Sequence, residues 1–117
     1  MENKEHKLQS ACVKWFRLQY PKYSNVLFAI PNGAKRNPRS GRWYKEEGML
    51  AGAPDMVLLA PDAKNTLHGV GIEFKSTTGV QSEPQKEIQI AMHNQGYAYW
   101  LIRNFDTFKN AIENYLE

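Results

Sequence analysis

Apolar positions recur along this chain with two different periods. Leu8, Ala11, Cys12, Trp15 and Leu18 fall three or four residues apart and predict a helix over residues 5–20. Pro21, which has no N–H to donate, closes it. The apolar run 26–30 predicts a short strand, broken by the turn signal Pro31-Asn32-Gly33. A short helix is predicted over 42–50, stopped by Gly48 or Gly52. Two strands follow, over 55–60 and 70–75, joined by the turn-rich segment Pro61-Asp62-Ala63-Lys64-Asn65. Gly69 and Gly71 flank Val70 and leave room for a close neighbour. Ser82-Glu83-Pro84-Gln85 has the form of a capping box, and its helix runs through Ile88, Ala91 and Met92 to a stop at Gly96. The aromatic run 97–102 predicts a strand. A last helix, capped by Asn104 or Asp106, carries Phe105, Phe108, Ile112, Tyr115 and Leu116 on one stripe.

The predicted order is α-β-α-β-β-α-β-α, which implies an α/β fold with a mixed sheet flanked by helices. Residues 1–117 suffice for one domain with one core, and no repeat or low-complexity tract divides them. The composition, 42% apolar and 23% charged, is that of a globular protein. The opening Met1-Glu2-Asn3-Lys4-Glu5-His6-Lys7 has no secretory pattern and no run is long enough to span a membrane, so a cytoplasmic protein is expected. Cys12 is the single cysteine, which excludes an internal disulfide; its place on an apolar stripe points to packing. A net charge of +3 permits nucleic-acid binding without demanding it.

The chemistry concentrates in two strands. Asp55 follows Gly52-Ala53-Pro54 at the head of one, and Glu73 and Lys75 stand two apart on the next. Alternation puts Glu73 and Lys75 on one face and Val70, Ile72 and Phe74 on the other. Paired as a hairpin, the strands bring Asp55 near Glu73. Two carboxylates beside an ammonium suit a Mg²⁺-type ion next to a phosphodiester. The same residues also read as the polar face of an amphipathic hairpin. Upstream, Lys35, Arg36, Arg39 and Arg42 make a cationic loop, which suits a phosphate backbone or simply a solvated surface. Trp43-Tyr44 reads as core packing before it reads as a platform for stacking on a base. Glu5 reads as a first-turn acid that complements the helix dipole, and Gln85 as the capping-box glutamine.

Pro54-Asp55 with Glu73-Phe74-Lys75 resembles the PD-(D/E)xK motif of restriction-endonuclease-like nucleases. The finer resemblance is to the VRR-NUC group within them, and it covers most of the chain. It rests on Glu5-x-x-Leu8-Gln9, Pro31-Asn32-Gly33, Gly52-Ala53-Pro54-Asp55, Glu73-Phe74-Lys75 and Thr78-Gly79-x-x-Ser82-x-x-Gln85, in that order. The resemblance implies a nuclease that uses Mg²⁺ or Mn²⁺. It casts Asp55, Glu73 and the Phe74 carbonyl as metal ligands, with Glu5 joining through water or a second metal. Lys75 would stabilise the transition state, and Gln85 would position water or phosphate. Stand-alone proteins of this appearance imply a homodimer acting on branched DNA such as four-way (Holliday) junctions. The aromatics Tyr97, Tyr99, Trp100, Phe105, Phe108 and Tyr115 exceed what one small core is expected to bury, which agrees with a dimer. Simple duplex, flap or nicking activity, a non-catalytic nucleic-acid-binding module and a structural subunit are the alternatives. No base-reading motif is present, so recognition of DNA shape is expected over recognition of sequence.

Overall fold

The computed structural model describes residues 3–31 and 38–117, with residues 38–41 described by their backbone alone. The first helix, α1 (Lys4–Gln19), starts where the Asn3 side chain accepts from the His6 N–H at 3.0 Å. Its core face is centred on Cys12 and Phe16, both fully buried, with Leu8 and Trp15 packed beside them. The predicted stripe is thus displaced. Leu18 is 71% exposed and Ala11 is exposed, because the large Phe16 ring takes the deepest position and rotates the helix toward itself. Pro21 ends α1 as expected and opens a 3-10 turn, Pro21–Val26, that the apolar pattern did not signal.

Four strands follow: β1 (Leu27–Ala29), β2 (Met56–Leu58), β3 (Val70–Phe74) and β4 (Ala98–Ile102). They lie in the order β1-β2-β3-β4. The first three are antiparallel neighbours, with Leu27 opposite Leu58 and Met56 opposite Ile72. The helix α3 (Glu83–Asn94) carries the chain back so that β4 runs parallel to β3, with Ile72 opposite Trp100. The last helix, α4 (Phe105–Leu116), is capped by Asn104, whose Oδ1 accepts from the Thr107 N–H. The expected mixed sheet flanked by helices is the one observed.

Alternation divides the sheet into two faces. Leu27, Met56, Leu58, Val70, Ile72 and Phe74 meet α1 and α4 on one face, where Phe108, Ile112 and Tyr115 complete the core. Each of these large side chains contributes about 1.5–3 kcal/mol by leaving water. On the other face α3 covers β3 and β4, and a Cβ on Gly71 would sit 2.9 Å from the Met92 sulfur. All five residues of β3 are therefore buried, charged Glu73 included.

The short second helix differs from its prediction. α2 spans Pro38–Glu46, several residues upstream of 42–50. Pro38 suits a first helical turn, where its missing N–H is no loss. The cationic segment is accordingly helical from Pro38, where a loop was expected. Trp43, expected in the core, is 63% exposed. Lys35 and Arg36, like Asn32-Gly33 of the expected turn, lie outside the described residues. Arg39 is described only by its backbone, and Arg42 is exposed on α2.

Candidate active site

The site forms where the β2–β3 hairpin, the start of α3 and the start of α1 meet. Gly52 has φ +90, and a Cβ there would lie 2.5 Å from the Pro84 carbonyl carbon. Glycine thus lets the chain pass hard against the first turn of α3 in a conformation other residues resist. Buried Pro54 then delivers Asp55 to the head of β2, where the Asp55 carbonyl accepts from the Ile30 N–H at 2.8 Å. With Met56 opposite Ile72, one more step of the register sets Asp55 across from Glu73. The Phe74 N–H donates to Asp55 Oδ2 at 2.7 Å, which fixes the carboxylate at the end of the hairpin. A cleft of about 230 Å³ opens there, lined by Ile30, Pro31, Met49, Leu50, Ala53 and Asp55.

Glu73 is only 3% exposed and is held from three sides. Gln85 Nε2 donates to its Oε2 at 2.8 Å, and Lys75 Nζ lies 3.7 Å from the same oxygen. The Tyr99 hydroxyl donates toward Oε1 at 3.4 Å. Gln85 also closes the capping box: its Oε1 accepts from the Ser82 N–H at 2.8 Å while Ser82 Oγ accepts from the Gln85 N–H. One side chain performs both roles, through different atoms. Glu5 reaches over from α1, and its Oε2 accepts from the Ser76 N–H at 3.3 Å.

Burial in this pocket works against charge. It pushes Glu73 up from 4.5 to about 7, with the Asp55 charge adding to the rise and Lys75 opposing it. Asp55 is also raised, first by burial, against the Phe74 N–H that favours its charged form. Glu5 raises both. Tyr99 is pushed up to about 12, by burial and then by the Glu73 charge, so its hydroxyl stays a donor. Cys12 is likewise raised to about 12 by burial, which leaves it an inert packing residue.

Two acids facing each other, with one ammonium nearby, suit a divalent cation. The donor set is all oxygen, the set that hard ions such as Mg²⁺ and Mn²⁺ take. No three histidine, cysteine, aspartate or glutamate side chains among the described residues are grouped to hold an ion by themselves. Asp55 and Glu73 are thus a two-carboxylate set, and Glu5 stands apart from it on Ser76. Backbone oxygen and water would have to complete a shell.

The structure brings Asp55, Glu73, Phe74, Lys75, Gln85 and Glu5 together; the cationic residues, as far as they are described, are elsewhere on α2. Tyr99 was missed as a site residue. Its signal is the alternation of Tyr97, Tyr99 and Leu101, but only the β3–β4 register, Gly71 opposite Tyr99, puts that face beside Glu73.

The chain is thus an α/β protein with a mixed sheet flanked by helices and paired carboxylates at the mouth of its β2–β3 hairpin. Among solved structures, the chain is similar to a "VRR_NUC domain protein", with a TM-score of 0.81 over 98% of this chain and 89% of that one, at 21% sequence identity. The fold is that of a VRR-NUC domain. No protein-family model and no curated protein matches the sequence.

Proposed function

We propose that this chain is a single-domain, metal-dependent DNA endonuclease of the VRR-NUC group, hydrolysing phosphodiester bonds at the Asp55–Glu73–Lys75 site. One observation carries the reading: buried Glu73 faces Asp55, at a cost in solvation that a structural role would not require. The VRR-NUC fold supports it. Asp55 and Glu73 would hold Mg²⁺ or Mn²⁺, with the Phe74 carbonyl as a further oxygen; the ion would lower the pKa of a water and offset phosphate charge. Lys75 stands beside Glu73 and meets the negative charge that develops on the phosphate. Gln85 orients Glu73 through Nε2, and Tyr99 restrains its other oxygen. Glu5 places its charge next to both acids without the short contact of a shared ligand set.

The substrate we propose is branched DNA, four-way junctions above all, cut by a homodimer in symmetric pairs of nicks. The expected aromatic excess does not support the dimer: Tyr99, Phe108 and Tyr115 are buried, and Trp100 and Phe105 pack on the core. Support comes from the opposite edge of the sheet. Phe28 and Leu59, 45% and 50% exposed, share the face of Asp55. A second copy placed there would set two sites side by side.

Cleavage of duplex, single-stranded, flap and four-way-junction DNA, each with Mg²⁺, Mn²⁺ or chelator, tests the whole reading. The expected result is junction nicking that chelator abolishes and either metal restores. Ca²⁺ is expected to support DNA binding with little turnover, because its looser shell activates water less well. DNA binding with no cleavage under any metal would leave the non-catalytic binding module in its place.

A further inference from the structure

The residue after Lys75 is gripped at both ends by opposite charges. Its N–H donates to Glu5 Oε2 at 3.3 Å, and its carbonyl accepts from Arg103 Nη1 at 2.7 Å. The same Nη1 donates to the Gly79 carbonyl at 2.7 Å. Lys75 itself donates its N–H to the carbonyl of Ile102, the neighbour of Arg103 on β4, at 3.0 Å. The enclosed turn is closed by the Gly79 N–H, which lies 3.2 Å from the Ser76 carbonyl and 3.1 Å from Ser76 Oγ. Gly79 thereby comes to rest on the Lys75 stem: a Cβ there would lie 3.3 Å from Lys75 Cδ and 3.6 Å from Lys75 Cβ.

We propose that Arg103 is a positioning residue for Lys75. By tying the Ser76 and Gly79 carbonyls to one nitrogen, it fixes the backbone wall along which the Lys75 stem lies, and so the direction of the ammonium. The proposal rests on the nuclease reading above. Its physical basis is the looseness of lysine, a point charge on a four-carbon stem that loses much rotamer freedom when held in one place. Charge-assisted bonds to two carbonyls give the wall a stiffness that a turn with two threonines and a glycine lacks by itself. Glu5 holds the peptide before Ser76, accepting from the Ser76 N–H, so the two peptides that flank Ser76 are each tied to a charged side chain.

The test is a double-mutant cycle on DNA cleavage with Arg103→Ala, Lys75→Ala and both, alongside DNA affinity in Ca²⁺ and the Tm rise caused by Mn²⁺. Arg103→Ala is expected to lower kcat by about 10- to 100-fold, the scale of a misplaced catalytic group. DNA affinity and the Mn²⁺ response should stay at wild-type values. In the Lys75→Ala background the same change should cost nothing more, because the group it aims is gone. Arg103→Lys, with a single point donor, should fall between. Equal losses in both backgrounds would show a merely structural role and overturn the proposal. So would an unchanged kcat, or a loss of DNA affinity that accounts for the loss of cleavage. Should Arg103→Ala not fold, Gly79→Ala, which crowds the Lys75 stem directly, must show the same dependence on Lys75. A wild-type chain that cuts no DNA overturns the nuclease reading and this proposal with it; an active chain indifferent to Arg103 and Gly79 overturns this proposal alone.

Discussion

Glu73 concentrates the conflict between stability and chemistry in one side chain. Its carboxyl is raised from 4.5 to about 7 in the folded chain. The folded state therefore holds a proton that the unfolded state releases, and stability falls as pH rises from about 4.5 to 7. Asp55, also raised, pulls in the same direction. The metal-free protein is expected to melt at a lower temperature at pH 8 than at pH 5.5. Glu73→Gln should raise the pH 8 melting temperature and flatten this dependence while removing cleavage; a variant less stable than wild type at pH 8 would refute the cost assigned to the buried charge. Added Mn²⁺ should stabilise wild type more at pH 8 than at pH 5.5, since protons compete for the same oxygens. Lys75→Ala is expected to slow cleavage by about 10²–10³-fold, the usual loss for one preorganised electrostatic group. Alanine at Asp55 or Glu73 should do at least as much, and the fold-loss in single-turnover rate of the combined variants should fall short of the product of the separate losses.

At the scale of elements, the N-terminus of α3 links fold to site. Ser82→Ala should cost about 1 kcal/mol through the lost cap, seen in urea unfolding, and should also loosen Gln85 on Glu73. A variant with the stability loss but wild-type metal affinity would separate the two. Much of this was legible in the sequence. Strand alternation put Glu73 and Lys75 on one face, and the Ser82–Gln85 spacing gave the cap, because both follow from local geometry. What needed tertiary knowledge was not legible. Leu18 matches the helical period but lies off the core face, since the size of Phe16 decides the rotation of α1. α2 begins before its predicted start because Pro38 opens a helix as readily as it interrupts one. Tyr99 and Arg103 join the site only through the register of β4 on β3, which no local pattern encodes.

The whole molecule assembles its site from distant parts of the chain: Glu5 from α1, Asp55 and Glu73 from the hairpin, Arg103 from the residue that follows β4. The half of the sheet not covered by α3 leaves Phe28 and Leu59 in contact with solvent. Light scattering at micromolar concentration is expected to give the mass of two chains. Phe28→Asp should return a monomer with an intact far-UV spectrum and a reduced ability to nick junctions in pairs. A monomeric wild type would remove the paired-nick prediction and leave single-strand cleavage. Arg42, exposed on α2, should contribute through charge alone, so Arg42→Ala should lessen the salt dependence of DNA binding by about one unit of slope. No helix among the described residues is long and apolar enough to cross a membrane.

The split duty of Gln85 bears on any attempt to improve this protein. Glutamate and glutamine both serve as the last residue of a capping box, and glutamate is the ordinary choice of helix stabilisation because it also complements the dipole. Here the carbonyl oxygen of the amide serves the helix and its nitrogen serves Glu73, so the two residues are not exchangeable. Gln85→Glu would set a second carboxylate against Glu73 Oε2, so despite its intact cap it should melt lower than wild type at pH 8 and cleave about 10- to 100-fold more slowly, the value of a hydrogen bond to a charged group at about 1.5–3 kcal/mol. A substitution chosen by the rules of helix capping alone would therefore be paid for at Glu73, on the far side of the same amide.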